Sequence, residues 1–251
     1  MKKYAYGVDI GGTTVKIGFF ETTGKLVDTW EIPTRTENSG ELILPDIAAS
    51  IKENNEKHGI EMGDIEGIGM GVPGPVKDDG TVLKCVNLGW GVFNVAQSLS
   101  VLCGGIKVKA GNDANVAALG EMWQGGGKGH QDVVMITLGT GVGGGIIIDG
   151  KIYSGSNFAG AEIGHTVIEV DGPQCTCGRK GCFEVFSSAT GLIRMTKEAM
   201  AKDSESVMHK ITAERKGKVT ARTSFDAMRM GDKSAKEVVD KYIKYLSLIH
   251  I

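Results

Sequence analysis

The chain has 251 residues, 41% of them hydrophobic, so it can bury a sizeable core as one large domain or two small ones. Its 28 basic residues against 30 acidic ones leave a formal charge of -2, which excludes a global basic field for nucleic acid. No apolar run has signal-peptide length or reaches the ~18 residues of a membrane span, so a cytoplasmic protein with no membrane partner is expected.

Glycine is the outlier, with 38 residues placed in short loops between apolar runs, where the backbone needs tight turns and close approaches. From the start, YAYGVDI, GGTT, VKIGFF and ETTGKLV read as strand, glycine turn, strand and a turn into a third strand. A helix is expected around Leu42 to His58, followed by a short strand IEGIGMGV. GMGVPGPV, Gly69 to Val76, then sets two prolines beside glycines, which makes either an ordinary loop or a stiff turn whose backbone can approach a ligand. GNDANVAALGE places Asn112 and Asp113 between the interrupted apolar segment GGIKVKA and a helix from Asp113 to about Trp123. Two readings stand there: a helix cap, or a base in Asp113 at the end of a strand, where α/β proteins gather ligand-binding groups.

DVVMITL, GTGVG, GGIIID and GKIY repeat the opening scheme, with Asp9, Gly11 and Gly12 falling opposite Thr137, Gly139 and Thr140. One glycine hairpin is an ordinary turn. Two in parallel frames point to two similar α/β domains facing each other, here 1–116 and 117–251, each offering a loop of backbone N–H groups that favours phosphate. Neither loop is a Walker A motif or a dinucleotide fingerprint opening a helix.

GAEIGH brings Glu162 and His165 three residues apart. Five cysteines are an odd count, and their clustering without a secretion signal argues against a disulfide framework. His165, Cys175, Cys177 and Cys182 make an H-x9-C-x-C-x4-C array suited to tetrahedral zinc, and Gly178 and Gly181 favour a tight knuckle. Because C-x-C is less common than C-x-x-C in such sites, a redox pair or free thiols are the alternatives. Cys85 and Cys103 read as buried apolar side chains. From Thr190 onward the pattern is mainly helical, and SAKEVVDKYIKYLSLIHI is amphipathic, with an uncapped end at Ile251.

Taken in order, DIGGTTVK, GMGVPGPV, GNDANVAALGE, LGTGVGGG, GAEIGH and CTCGRKGCFE resemble the ROK family of sugar kinases and repressors, over about Tyr6 to Tyr245. The resemblance implies an α/β, actin-like ATPase (ribonuclease H-like) fold with two similar α/β domains and a cleft between them. It implies ATP-dependent phosphorylation of a hexose 6-hydroxyl with Mg2+ on the phosphates. Glucose is the first expectation, and N-acetylmannosamine, fructose or allose are the alternatives. It assigns Asp9, Gly11, Gly12, Thr13, Thr14 and Lys16, with Gly139, Thr140 and Gly141, to the nucleotide phosphates and metal. Asp113 matches the general base, and Asn112, Glu162, His165 and Glu184 match, with it, the sugar-binding positions. A structural Zn2+ on His165, Cys175, Cys177 and Cys182 leaves the other ring nitrogen of His165 for the sugar. The resemblance also favours a homodimer or homotetramer. A non-catalytic sugar-sensing regulator is the competing class, but a repressor carries a helix-turn-helix before the first phosphate loop, and here the first strand begins almost at Met1. The family's kinases continue through a further glycine-rich loop that holds the adenosine, so the chain is expected to be truncated at its end.

Overall fold

The computed structural model describes residues 2–249, and the uncapped end expected at Ile251 lies outside them. The chain divides into two compact units, Met1–Met135 with Gly145–Gly160 and Ile136–Gly144 with Ala161–Ile251.

In the first unit, β1 (Tyr4–Ile10), β2 (Thr14–Glu21) and β3 (Leu26–Pro33) form the antiparallel meander that the opening segment predicts. Period-two alternation sets its inner face, because Tyr6, Val8 and Ile10 on β1 and Val15, Ile17 and Phe19 on β2 are all buried. After a single distorted turn, α1 (Glu37–Gly40), α2 (Ile43–His58) adds Ile43, Ile47 and Ile51, one helical face, to the same core. Each such side chain, fully buried, contributes roughly 1.5–3 kcal/mol.

β4 (Ile65–Val72) runs parallel to β1. The short pair β5 (Thr81–Val82) and β6 (Phe93–Asn94) and then α3 (Val95–Leu102) lead to β7 (Val108–Asn112), which runs parallel to β4. The sheet order is β3-β2-β1-β4-β7. On β4, Ile68, Met70 and Val72 enter the core, while the alternating Gly67, Gly69 and Gly71 clear the other face for α4 (Asp113–Gln124), which packs on β4 and β7. The repeat then recurs as β8 (Val133–Leu138), β9 (Val142–Ile148) and β10 (Lys151–Ile152), in the order β10-β9-β8. Cys85 and Cys103 are buried in the first unit's core, as expected.

The second unit takes Ile136–Gly144, the end of β8, the turn and the start of β9, and resumes at Ala161. One 3-10 turn, Ile163–His165, and two isolated bridges, Val167 with Cys182 and Gln174 with Lys180, are the regular features before the helices. There follow α5 (Glu184–Ser187), α6 (Ala189–Met200), α7 (Val207–Glu214), α8 (Thr223–Arg229) and α9 (Lys233–Leu246), the helical region expected from Thr190 onward. α9 buries Ala235, Val238, Val239 and Tyr242, the spacing its amphipathic pattern calls for. Asp232 closes two helix starts at once, with Oδ1 accepting from Ala235 N at 2.7 Å and Oδ2 from Val207 N at 2.6 Å. Among the described residues, no helix is long and apolar enough to cross a membrane.

Candidate active site and metal centre

The parallel register of β1, β4 and β7 sets Asp9, Gly71 and Gly111 side by side, so three strands end together and their loops leave from one edge. Since Tyr6, Val8 and Ile10 face the core, Asp9 projects on the opposite face, toward α4. Gly71 stands between the two acids: a Cβ there would lie 3.4 Å from Asp113 Cα and 3.7 Å from Asp9 Oδ1.

Of the two roles read at Asn112 and Asp113, the cap falls to Asn112. Asn112 caps α4, its Oδ1 accepting from Asn115 N at 3.2 Å, and its Nδ2 reaches the Gly74 carbonyl at 3.4 Å. Asp113, half-buried, accepts a bond from Ala114 N at 2.8 Å. Burial holds its carboxyl above the usual carboxylate range and the charge of Asp9 adds to this, against the Ala114 N–H, which favours the ion.

The first glycine loop is tied from behind. Thr34 Oγ1 donates to Gly11 O at 2.7 Å and Thr34 N to Thr13 O at 2.9 Å, while Gly11 N bonds Thr14 O at 3.0 Å. The exposed Gly12 and Thr13 keep backbone N–H groups with no acceptor among the described residues. Thr14, half-buried, opens β2, and the exposed Lys16 lies opposite the exposed Asp9 across the hairpin.

The second loop, in the other unit, has a different neighbour. Gly139 N bonds Gly141 O at 3.0 Å and Gly139 O takes Ala189 N, the start of α6, at 2.9 Å, which leaves Thr140 exposed. A Cβ on Gly141 would come within 2.6 Å of Glu184 Oε2. The other oxygen, Oε1, receives the Cys175 thiol at 3.0 Å and Thr176 Oγ1 at 3.4 Å, and lies 3.6 Å from His165 Nδ1. Glu162 precedes the 3-10 turn, its carbonyl accepting from His165 N at 3.1 Å and its side chain exposed. At Gly164 a Cβ would lie 2.1 Å from Val142 O, so the turn that presents His165 has no room for any other residue. The expected sugar-binding set thus divides, with Asn112 and Asp113 in one unit and Glu162, His165 and Glu184 in the other.

The four candidate metal ligands converge. One donor atom each from His165, Cys175, Cys177 and Cys182 lies within 4.8 Å of all the others. Cys177 and Cys182 Sγ are 3.6 Å apart, as are Cys175 Sγ and His165 Nδ1. Zn–S bonds of about 2.3 Å in a tetrahedron put sulfurs about 3.8 Å apart, whereas a disulfide needs about 2.05 Å, so the donor set fits zinc and not a bonded redox pair. Burial raises the thiols of Cys175 and Cys182, while the N–H and guanidinium of Arg179 lower that of the exposed Cys177. His165 turns Nδ1 to the cluster, and Nε2 has no partner among the described residues.

Three contributors escape a reading by motif. Arg179 Nη2 donates to the His165 carbonyl at 2.9 Å, Thr34 braces the first loop from just beyond β3, and Gly71 separates Asp9 from Asp113. Arg179 carried a signal, as a cation between two ligand cysteines. Thr34 and Gly71 act through strand pairing over long sequence separations, which no local pattern encodes.

A profile of the ROK family matches residues 5–250. The chain is 42% identical over 246 residues to the glucokinase of Halalkalibacterium halodurans, a match that covers 97% of this chain and 74% of that protein. It is 36% identical over 243 residues to the glucokinase of Thermotoga maritima, covering 96% of this chain and 74% of that one. Among solved structures, the ROK family glucokinase from Streptomyces griseus in complex with glucose and AMPPNP superposes with a TM-score of 0.75 at 32% identity, over 96% of this chain and 76% of that one.

Proposed function

The chain belongs to the ROK family, and we propose that it transfers the γ-phosphoryl group of ATP to the 6-hydroxyl of glucose. Its α/β architecture is the actin-like ATPase fold. The observation that carries the reading is Asp113, a partly buried carboxylate at a strand end beside Asp9 and the first glycine loop, freed from capping by Asn112. A carboxylate whose pKa is raised toward the working pH is a better proton acceptor than an ordinary aspartate.

On this reading Asp113 takes the proton of the 6-hydroxyl and holds that oxygen in line with the γ-phosphorus. Gly11, Gly12, Thr13 and Thr14 face the phosphates with backbone and hydroxyl donors, Lys16 adds charge, and Gly139, Thr140 and Gly141 serve from the second loop. Asp9 would act through water on Mg2+, which would neutralise phosphate charge. Asn112, Glu162, His165 and Glu184 pair with the sugar hydroxyls, each of which costs about 1–3 kcal/mol if buried unmatched. The Cys3His donor set supports a structural zinc, with His165 Nδ1 as ligand and Nε2 left for a sugar hydroxyl. The functional division at 116/117, a cytoplasmic location, a homodimer or homotetramer and the absence of nucleic-acid and membrane partners belong to the same reading.

The test is a coupled ADP-release assay with ATP and a panel of glucose, N-acetylmannosamine, fructose and allose. Glucose is expected to give the highest kcat/KM. Turnover of another hexose without glucose turnover sinks the glucose assignment, and hexose binding without any turnover points to a sensor.

A further inference from the structure

The knuckle contains one cation whose reach the preceding assignments do not use. Arg179 lies between the ligands Cys177 and Cys182, yet its side chain turns back so that Nη2 donates to the His165 carbonyl at 2.9 Å. Its own carbonyl accepts from Cys175 N at 2.8 Å and from Gln174 Nε2 at 3.2 Å, which fixes the residue from which the side chain departs. The guanidinium also lies within electrostatic range of the three cysteines, Cys177 before Cys182 and Cys175.

Charge explains why a cation belongs there. Three thiolates and a neutral imidazole around a divalent zinc sum to a net negative centre. The Glu184 carboxylate, 3.0 Å from Cys175 Sγ, adds another negative charge on the same side. Geometry supplies the second half. A ring held only through Nδ1 can still swing about that bond, and Nε2 then moves off line. A hydrogen bond to the carbonyl of the same residue fixes the backbone from which the ring departs, and so narrows the range over which Nε2 can move.

We propose that Arg179 is a positioning residue for hexose binding: it clamps the His165 backbone to the knuckle and offsets the negative charge that the thiolate ligands gather beside Glu184. The sugar half rests on the hexose-kinase reading and the charge half on zinc in the knuckle. Because Arg179 and Asp113 belong to different units, the effect falls on sugar affinity and not on proton transfer.

The test uses the zinc-loaded chain with Arg179→Ala and Arg179→Lys. Four quantities are read: kcat, KM for glucose, KM for ATP, and the rate of zinc release to a colorimetric chelator. Loss of one charge-assisted bond at an exposed site should raise the glucose KM of R179A about fivefold, with kcat and the ATP KM changed less than about twofold. Zinc release should quicken in R179A and return to the wild-type rate in R179K, which restores charge. R179K should recover only part of the glucose KM, because an ammonium lacks the planar fork. A wild-type glucose KM in R179A, or a fall in kcat and melting temperature with KM unchanged, overturns the proposal. If the wild type phosphorylates no hexose, the kinase reading fails by itself. Zinc release then decides alone, and a wild-type rate in R179A removes the clamp.

Discussion

The strand ends that carry Asp9 and Asp113 and the segment that carries His165 and Glu184 present polar groups with equal definition, but they are held by different physics. Under the first lies the large apolar core of a five-stranded sheet, with Tyr6, Val8, Ile10, Met70 and Val72 all buried. Backbone register alone then places each carboxylate. The second runs from Ala161 to Glu184, the first residue of α5, with one 3-10 turn, two isolated bridges and few buried apolar side chains. A segment that cannot bury enough surface to fix itself needs a cross-link, and four converging donor atoms supply the place for one. Where the sheet gives a rigid edge, acid chemistry needs no metal brace. Where irregular chain must aim an imidazole and a carboxylate, the cysteines stand in for a core.

Changes in the two regions should therefore fail in different ways, and the largest effect belongs to the first. Asp113→Asn should lower kcat by about a thousandfold, within the range of a general base, while glucose still binds and the fold persists. Isothermal titration with glucose beside the coupled assay checks both halves, and unchanged turnover takes Asp113 out of its role. In the second region the effect is smaller in rate but wider in consequence. Cys177→Ser should lose the roughly one zinc per chain expected for a four-ligand site, and glucose affinity should fall in parallel by about tenfold or more. Metal-free protein that binds glucose fully would break the link between knuckle and sugar.

Two glycines sharpen the same contrast. Gly164→Ala places a methyl 2.1 Å from the Val142 carbonyl, a backbone atom that cannot step aside, so a loss of about 1–3 kcal/mol is expected, together with weaker zinc retention. Gly71→Ala meets nothing closer than 3.4 Å and should change thermal stability little, although it narrows the gap between Asp9 and Asp113. Equal melting temperatures for the two variants would contradict the difference drawn between sheet and knuckle.

The same contrast governs how much was legible in the residues. The paired hairpins, the helix beginning at Asp113 and the buried stripe of α9 follow from periodicity and capping, which act within a few residues. The candidate metal ligands were visible because three of the four fall within eight residues, Cys175 to Cys182. The coupling of Asp9 to Asp113 was hidden: it depends on β1 and β7 flanking β4, a pairing of strands far apart in sequence. Arg179 was legible only as a cation between two candidate ligand cysteines. Its charge reads as a solvated surface residue until the His165 carbonyl is found within its reach.

The smallest expected effect tests that hidden coupling. On the proposed mechanism the ionised form of Asp113 is the base, so activity should fall as pH drops through its pKa. Burial first, and the Asp9 charge after it, hold that pKa above the usual value, which places the acid limb of kcat/KM above the ordinary carboxylate range. Asp9→Asn removes the charge but not the burial, so the limb should move toward lower pH by part of its displacement, while the plateau drops because the metal contact is weakened. A limb that stays in place disproves the coupling. Stability runs with the opposite preference. A carboxyl whose folded pKa exceeds its unfolded one favours the fold at low pH, and that contribution is lost as pH rises from the unfolded value through the raised folded value. Asp113→Asn cannot ionise and should therefore melt above the wild type at neutral pH, with the difference vanishing in acid, so that the residue on which turnover depends is one the fold would hold more firmly without its charge.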